Sequence, residues 1–496
     1  MSGAPDGSDA IVRFRAAGRD ASGTLPETEA DHRAAEGIRP SRSLAVGALV
    51  VGSAALFVPL AFTRRLQDAF FLPKFCLAWG LLGVASFAVL LSDDRTKPAV
   101  TPTARLVDIA VGVHLAINVI ATAASTDRRL SIFGERLQHE GLLSLVLYVA
   151  FYAVSRRVFR SPSTAHRLLV CALAGGWIVA AYGVAQRIDA DPIWHGFLPE
   201  GRVFSTIGQP NALAAYLLTI VVVGIGVCSL TRSRTGRMAA IAATATGLAS
   251  LLFTKSRGGL VAFAALVLVA SALAILQLRR RQQWVIVLCG LFLVAGAGAL
   301  PQSRDGLRDT WTKLTARAGD TGGANAGLSA QNHADLWRVA AAIVRSHPLH
   351  GTGPETFPDQ FPSWSRVVLS PERVAYFDQF RVESPHNIFL HEAVGAGVPG
   401  LLTLLGVIAA TLRHFAVVAT RGDGDVRRRR FALVGGFVLI GHLLGNSFMS
   451  PEVTGSWLAW LLLGVLVAVT DGPNGPSRGV LTGPLRCGGS SPIVPP

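Results

Sequence analysis

The sequence predicts an all-α integral membrane protein with about twelve transmembrane helices. Half of the 496 residues are hydrophobic, only 16% are charged, and the mean hydropathy is +0.44. A soluble protein of this length needs more charge to cover its surface. The apolar residues also fall in blocks of roughly 20, which is long enough to cross about 30 Å of hydrocarbon.

These apolar blocks follow one another between two polar tails. Residues 1–42 and 471–496 are rich in small and polar residues, and we expect both to be disordered. Nine spans are predicted in residues 43–300 and three in residues 386–470. The predicted spans are 43–62, 70–92, 107–125, 141–155, 168–186, 211–230, 238–254, 258–277, 283–300, 397–418, 431–449 and 454–470.

The lysine and arginine residues between the spans predict the orientation. If the N-terminus is cytoplasmic, the inside segments carry 26 basic residues and the short outside loops carry 9. Basic residues are enriched in cytoplasmic loops, so this bias predicts that both termini are cytoplasmic. Arg64 and Arg65, directly after the first span, are a local exception.

One connection, residues 301–385, is much longer than the others and is predicted to face outward. It contains nine basic and nine acidic residues, so it is neutral and is expected to fold as a small domain. Apolar residues at helical spacing predict a helix that ends before Pro348. These residues are Leu336, Ala340, Ile343 and Val344. Long ordered loops on a rigid scaffold are usually functional.

Composition also argues against several classes of function. The net charge is +15, but the basic residues lie between spans, where they set topology, and do not indicate nucleic-acid binding. Of the five cysteines, four lie in apolar spans and Cys487 lies in the tail. Their spacing fits neither a disulfide framework nor a zinc site, so no metal is expected.

A very short basic loop joins the seventh and eighth spans. Lys255 and Arg257 flank Ser256, and Gly258 and Gly259 follow. Two fixed cations beside a flexible backbone predict an anion site, which suits the diphosphate of a lipid carrier. The alternative is that both side chains extend to lipid phosphates.

The segment that leads into the sixth span is unusually polar. Pro210 suits the first turn of a helix, and Asn211 is expected to satisfy a free backbone amide there. A helix start alone leaves Arg202, Ser205 and Thr206 unexplained. We therefore interpret these polar residues as candidate substrate contacts.

A histidine lies where the long loop meets the tenth span. His386 follows Pro385 and precedes Asn387 and an apolar helix, so it can be held rigidly at the water boundary. Its usual pKa suits proton transfer near neutrality. Single boundary histidines are often structural, but the two arginine sites on the same face favour a catalytic role. The rival bases are Glu355, Glu383 and Glu392.

Four segments carry a resemblance to one family. RVFSTIGQPNALAAYL is similar to the motif around GNPN-x-LA, and TKSRGG is similar to the SRG segment. WRVAAAIVRSHPLHGTGPETF is similar to W-x-x-A…HP-x-x-G-x-G-x-x-x-F, and SPHNIFLHEAVGAGVPGLL is similar to HN-x-x-L…G-x-x-G. All four occur in family order over roughly residues 200–405. The chain therefore resembles the O-antigen ligase and polymerase superfamily, although Gln209 stands where the family usually has Asn.

The resemblance implies a glycosyltransferase-C-like helical fold in the bacterial inner membrane. It also implies a metal-independent, inverting transfer, without a cofactor, of a glycan from polyprenyl diphosphate to a glycolipid or glycan acceptor. The residues expected to be catalytic are His386, Arg257 and Arg202. The residues expected to bind substrate are Arg338, Lys255, Ser205, Thr206, Asn211 and Asn387.

Several functions remain open at this point. The acceptor can be lipid A-core, another repeat unit or a protein side chain, which correspond to a ligase, a polymerase or an oligosaccharyltransferase. We favour a ligase because the large loop lies late in the chain, between the ninth and tenth spans. A secondary transporter would place ionisable groups near the bilayer midplane, whereas Lys74, Asp108 and His114 are predicted nearer span ends. A structural scaffold would not explain the four motifs.

Overall fold

The computed structural model describes residues 42–92, 100–135, 139–195, 198, 201–277, 324–420, 425–447 and 453–471. The described residues form α-helices and contain no β-strand. The helices before the long connection are α1 (Arg42–Phe57), α2 (Phe71–Leu90), α3 (Pro102–Ala123), α4 (Arg128–Phe133), α5 (Leu142–Val158), α6 (Pro162–Arg187), α7 (Pro210–Leu230), α8 (Arg234–Phe253) and α9 (Arg257–Gln277). Those after it are α10 (Ala324–Ser346), α11 (Phe357–Val368), α12 (Pro371–Phe377), α13 (Ile388–Thr420), α14 (Val426–Asn446) and α15 (Val453–Thr470).

Seven of these helices are long and apolar enough to cross a membrane. They comprise α2, α3, α6, α7, α8, α13, and α1 with the short 3-10 turn that extends it to Leu60. Two shorter apolar segments, Arg257–Leu273 and Thr454–Thr470, lie in α9 and α15. The described part of the chain is thus that of an all-α membrane protein. The predicted ninth span, 283–300, lies outside the described residues, so the count of twelve stays a prediction.

Helix α7 lies at the centre of the bundle. Apolar side chains are buried around its whole circumference, which is typical of a helix enclosed by other helices. It packs against α6, α8, α9, α14 and α15. Small residues allow this close approach. A Cβ added at Gly226, for example, would lie 2.7 Å from the side chain of Val434 in α14.

The described part of the long connection, residues 324–385, is called the loop domain below. It has its own apolar cluster, which includes Leu336, Ala340 and Ile343 of α10 and packs on Val394 of α13. Helix α10 ends at Ser346. The prediction of a helix that stops before Pro348 is therefore confirmed.

A glycine-rich turn of the loop domain, residues 347–356 between α10 and α11, is hydrogen-bonded to helix α13. The backbone amides of Thr352 and Gly353 donate to the carbonyls of Val394 and Gly395, each at 2.9 Å. Gly353 has a φ of +108°, and a Cβ there would overlap the side chains of Ser125 and Ser131. The turn therefore needs glycine at this position for both its backbone angle and its close packing.

Gly353→Ala is expected to destabilise the protein by about 1–3 kcal/mol, because it combines an unfavourable φ with a steric overlap. Thermal unfolding of purified protein in detergent measures this loss. Gly406→Ala is the matched control, since a Cβ there meets no atom within 4 Å and alanine favours a helix. Equal melting temperatures for the two variants would contradict the role assigned to the turn.

Cysteine labelling in intact cells tests the predicted orientation. Leu349 lies in the glycine-rich turn and is 77% exposed, and Thr235 is exposed at the start of α8. With the native cysteines replaced, an impermeant maleimide is expected to label Leu349→Cys and to leave Thr235→Cys unlabelled. The reverse pattern would show that the loop domain is cytoplasmic.

Candidate functional site

The segment before α7 is held rigidly by buried polar groups. The ammonium of Lys74 is buried and donates to the carbonyls of Thr206 at 2.6 Å and Ala61 at 2.9 Å. The side-chain oxygen of Gln186 accepts from the amide of Ser205 at 2.7 Å. Sequence reasoning missed both anchors. Lys74 lies inside a predicted apolar span, where an ionisable residue is itself a signal of a specific role.

The hydroxyls of Ser205 and Thr206 point into the protein. Ser205 Oγ donates to the Val179 carbonyl at 2.6 Å, and Thr206 Oγ1 donates to the Pro59 carbonyl at 2.9 Å. Both residues are buried. Their hydroxyls therefore connect helices within the bundle, and we leave both residues out of the proposed substrate contacts.

Helix α7 begins differently from the expectation. Its N-cap is Gln209, whose side-chain oxygen accepts from the amide of Ala212 at 2.7 Å, and Pro210 occupies the first turn. Asn211 was expected to satisfy the free amide, and that expectation is wrong. The oxygen of Asn211 instead accepts from the guanidinium of Arg202 at 2.5 Å. Gln209 caps the helix because it is the residue directly before Pro210 and has an extended backbone.

Three cations come together where this segment meets the loop between α8 and α9. Arg202 donates from Nε to the Thr254 carbonyl at 2.9 Å, which joins the two loops. Lys255, with a φ of +49°, is exposed, and a Cβ at Gly201 would lie 3.5 Å from its ammonium. Arg257 is exposed at the first position of α9.

Two of these cations are available to a ligand. The side chains of Arg257 and Lys255 form no hydrogen bond or ion pair with any residue that the structure describes. The buried Ser256 accepts from the amide of Gly259 at 3.2 Å and so stabilises the start of α9. A helix N-terminus adds a partial positive charge to the two side chains. The arrangement can therefore bind an anion with several charged oxygens.

His386 lies in a strained turn between the loop domain and α13. Its φ is +50°, and its backbone amide donates to Ser384 Oγ at 3.1 Å. The ring is partly buried and packs edge-to-face with His333, with 5.8 Å between ring centroids. Trp337 fixes the turn by donating from its indole to the Pro385 carbonyl at 3.1 Å. Such strain at a non-glycine residue is often found at functional sites.

Burial, together with a smaller effect of the neighbouring His333, lowers the pKa of His386 to about 4. The ring is therefore neutral at pH 7 and can accept a proton. The sequence alone gave no reason to depart from the usual histidine value near 6.5. The low pKa follows mainly from burial of the ring and in part from the neighbouring His333, which sequence reasoning missed. Its spacing of four residues from Trp337 on one helix face was the available signal.

Asn387 and Arg338 are also used within the protein. Asn387 Oδ1 accepts from the amides of Phe389 and Leu390, each at 3.0 Å, and so caps α13. Arg338 has a side chain that is 66% exposed and pairs at 3.0 Å with the buried Asp335. Helix α10 thus turns Trp337 toward His386 and turns Arg338 toward solvent.

A chain of contacts connects the basic loops to the His386 turn at one end of α7. A Cβ at Gly259 would lie 2.7 Å from Ala214, and a Cβ at Gly445 would lie 3.3 Å from Ala215. Two residues after Gly445, the carbonyl of Ser447 accepts from Asn387 Nδ2 at 3.2 Å. The α7, α9 and α13 motifs are therefore brought to one region of the bundle.

Comparison with known families agrees with this grouping. Residues 242–405 match the family model for O-antigen ligase. The match supports an O-antigen ligase superfamily assignment for this part of the chain. The resemblance is therefore confirmed, together with membrane-based polysaccharide biosynthesis as the setting. No curated protein matches the chain.

The matched residues run from α8 to the middle of α13. They include Arg257, Arg338 and His386, whereas Arg202 and Asn211 precede them. The resemblance was predicted over residues 200–405. The family match ends at the same residue, 405, and begins about 40 residues later, at 242. The hydrogen bond from Arg202 Nε to the Thr254 carbonyl connects this earlier segment to the matched part.

Proposed function

We propose that the chain transfers a glycan from a polyprenyl-diphosphate carrier to an acceptor hydroxyl at the outer face of the bacterial inner membrane. The observation that carries the proposal is a set of three cations, Arg202, Lys255 and Arg257, in loops that a series of contacts across α7 and α14 connects to the turn that holds His386. A diphosphate is the anion that such a set suits, because a guanidinium can bind two of its oxygens at once.

The proposed reaction is a single displacement at the anomeric carbon. The acceptor oxygen forms the new bond to this carbon while its proton passes to the neutral ring of His386. The bond from the anomeric carbon to the diphosphate oxygen breaks, and the electron pair leaves with the diphosphate. Arg257 and Lys255 neutralise the charge that develops there. Attack opposite the leaving group inverts the anomeric configuration, and the scheme uses no metal.

The leaving group and the acceptor have different needs. A diphosphate is already a good leaving group, so charge neutralisation suffices and an acid is not required. An acceptor hydroxyl is a weak nucleophile and needs a base as the new bond forms. The cations lie in the basic loops and His386 lies in a different turn, which matches this division.

A reconstituted transfer assay tests the function and distinguishes the acceptors. Purified protein in nanodiscs is given a polyprenyl-diphosphate-linked glycan and, in parallel, lipid A-core, a second lipid-linked repeat unit or a serine-containing peptide. We expect glycan transfer to lipid A-core, in keeping with the late position of the loop domain. Transfer to the repeat unit or the peptide alone would change the assignment to a polymerase or an oligosaccharyltransferase.

A further inference from the structure

Two arginines from different helices meet at the end of the bundle opposite the basic loops. Arg237 lies in the first turn of α8, whose other end leads into those loops, and its guanidinium donates to the Thr231 carbonyl at 3.3 Å. Arg430 of α14 donates to the Ser229 carbonyl at 2.6 Å. The two carbonyls lie two residues apart at the end of α7, so both cations are held beside the same short segment.

A third arginine is connected to the first two through helix α6. Arg427 of α14 donates to the carbonyl of Pro162, the first residue of α6, at 3.4 Å. One turn later in α6, Nε2 of His166 lies 3.1 Å from the hydroxyl oxygen of Thr231. These contacts place three arginines where α6, α7, α8 and α14 meet. The arginine cluster, as it is called below, comprises Arg237, Arg427 and Arg430.

No carboxylate neutralises the arginine cluster among the residues that the structure describes. Asp425 caps α14 by accepting from the amides of Arg427 and Arg428, and its side chain forms no ion pair with a described residue. Residues 156–167 and 231–237, at the starts of α6 and α8, contain no acidic residue. An arginine has five N–H donors, and the remaining donors of the cluster form no hydrogen bond with described residues. All three side chains are exposed, so their charge is open to an anion.

The helix ends in this region add to the positive charge. Helices α6, α8 and α14 all begin at this end of the bundle. The start of a helix carries a partial positive charge, which disfavours nearby cations and favours anions. The carbonyls at the end of α7 offset only part of this charge. Topology favours basic residues in such connections but does not require them to meet at three helix starts, where an anion would relieve their mutual repulsion.

Exposed apolar side chains lie one helical turn beyond the basic residues. In α6, Val170 is 42% exposed and lies three residues after the exposed Arg167. In α8, Ile241 is 46% exposed and lies four residues after Arg237. Residues at these spacings share one face of a helix, so each apolar side chain lies on the membrane side of an arginine. A soluble anion would contact the arginines alone, whereas a phospholipid would contact both groups.

We propose that the arginine cluster binds the headgroup of an anionic phospholipid, in the leaflet opposite the basic loops, with the acyl chains along α6 and α8. Guanidinium groups bind phosphate oxygens in pairs, which suits the phosphate of the headgroup. A headgroup with a net negative charge neutralises the cluster, whereas the choline of a zwitterionic lipid brings a further cation to it. The proposal does not depend on the proposed glycosyl transfer.

Native mass spectrometry of the delipidated full-length protein in detergent tests the site. The probes are dioleoylphosphatidylglycerol and dioleoylphosphatidylcholine, and we expect the first to bind with the lower Kd. Each arginine near a membrane surface contributes about fivefold to the binding of anionic lipid. The Kd for phosphatidylglycerol is therefore expected to rise about fivefold in Arg237→Gln and about thirtyfold in Arg237→Gln/Arg430→Gln.

The matched control removes the same charge from the other end of the bundle. Arg128 and Arg129 are exposed on α4, where Arg128 also donates to a carbonyl, that of Ala123, at 3.0 Å. Helix α4 contacts the loop domain through the hydrogen bond from Ser131 to the Pro354 carbonyl. The double variant Arg128→Gln/Arg129→Gln is expected to bind phosphatidylglycerol with the wild-type Kd.

Each outcome decides the proposal. Equal Kd values for the two lipids, or an equal loss of affinity in the α4 control, would reduce the effect to bulk charge and overturn the site. Displacement of the lipid by millimolar inorganic phosphate would also overturn it, because the site would then bind a soluble anion. If the double variant does not fold, Arg427→Gln, which breaks only a 3.4 Å contact, is expected to raise the Kd about fivefold. Selective lipid binding by a protein without transferase activity would retain this site and reject the proposed function.

Discussion

His386→Ala is expected to lower kcat for glycan transfer by about 10²- to 10⁴-fold, which is the usual contribution of a well-placed general base. The protein should remain in the membrane and bind the lipid donor as wild type does, because the cations lie on other helices. Donor binding and turnover, measured on the same purified sample, separate these two effects.

Two variants serve as controls for His386. His350→Ala removes an exposed histidine of the loop domain and should transfer at the wild-type rate. Glu383→Gln removes the charge of the nearest rival carboxylate and should also remain active. If His386→Ala transfers at the wild-type rate while Glu383→Gln is inactive, the base is the carboxylate.

The pH dependence gives an independent check on the same residue. Burial lowers the pKa of His386 to about 4, with His333 as a second cause, and only the neutral ring accepts a proton. The value of kcat/KM, which reports the free enzyme, should therefore stay level from neutral pH and fall as the pH drops through about 4. An acidic limb near pH 6.5 would mean that His386 is solvated like an ordinary histidine.

Arg257→Ala is expected to lower kcat/KM by about 30-fold to several thousand-fold. Loss of a charge-assisted contact to a desolvated diphosphate costs about 2–5 kcal/mol, and each 1.4 kcal/mol corresponds to a factor of ten. The kcat/KM of Arg257→Lys should lie between those of wild type and Arg257→Ala, because lysine keeps the charge and loses the planar guanidinium.

The matched control is Arg234→Ala, which removes an exposed arginine at the opposite end of α8 from the basic loop. It should leave kcat/KM unchanged at equal expression. Wild-type activity in Arg257→Ala would indicate instead that this side chain extends to lipid phosphates.

The sequence predicted the helices well because apolar blocks and proline-marked starts are local signals. It also predicted the end of α10 before Pro348 and grouped the residues of the basic loops. Side-chain direction within those segments was harder to predict. Ser205 and Thr206 bond to Val179 and Pro59, which are distant in sequence, so only the folded packing reveals that their hydroxyls face inward.

The face of a helix on which a residue lies, and its position along a span, could also not be predicted from the sequence. Trp337 faces the His386 turn, whereas the next residue, Arg338, faces solvent. Consecutive side chains in an α-helix are rotated by about 100° around the helix axis. His114 was predicted near a span end but lies, buried, at the middle of α3 (Pro102–Ala123). Buried ionisable groups within spans are typical of transporters, so glycan transfer must be distinguished from flux.

The most direct test follows the lipid donor itself in proteoliposomes. The carrier is labelled in its polyprenyl chain and its glycan, and acceptor is then added. We predict that free polyprenyl diphosphate appears in step with glycosylated acceptor, only with wild-type protein and only when acceptor is present. Passage of the intact labelled donor from one leaflet to the other, without cleavage of the glycan from the diphosphate, would contradict a transferase and identify a transporter.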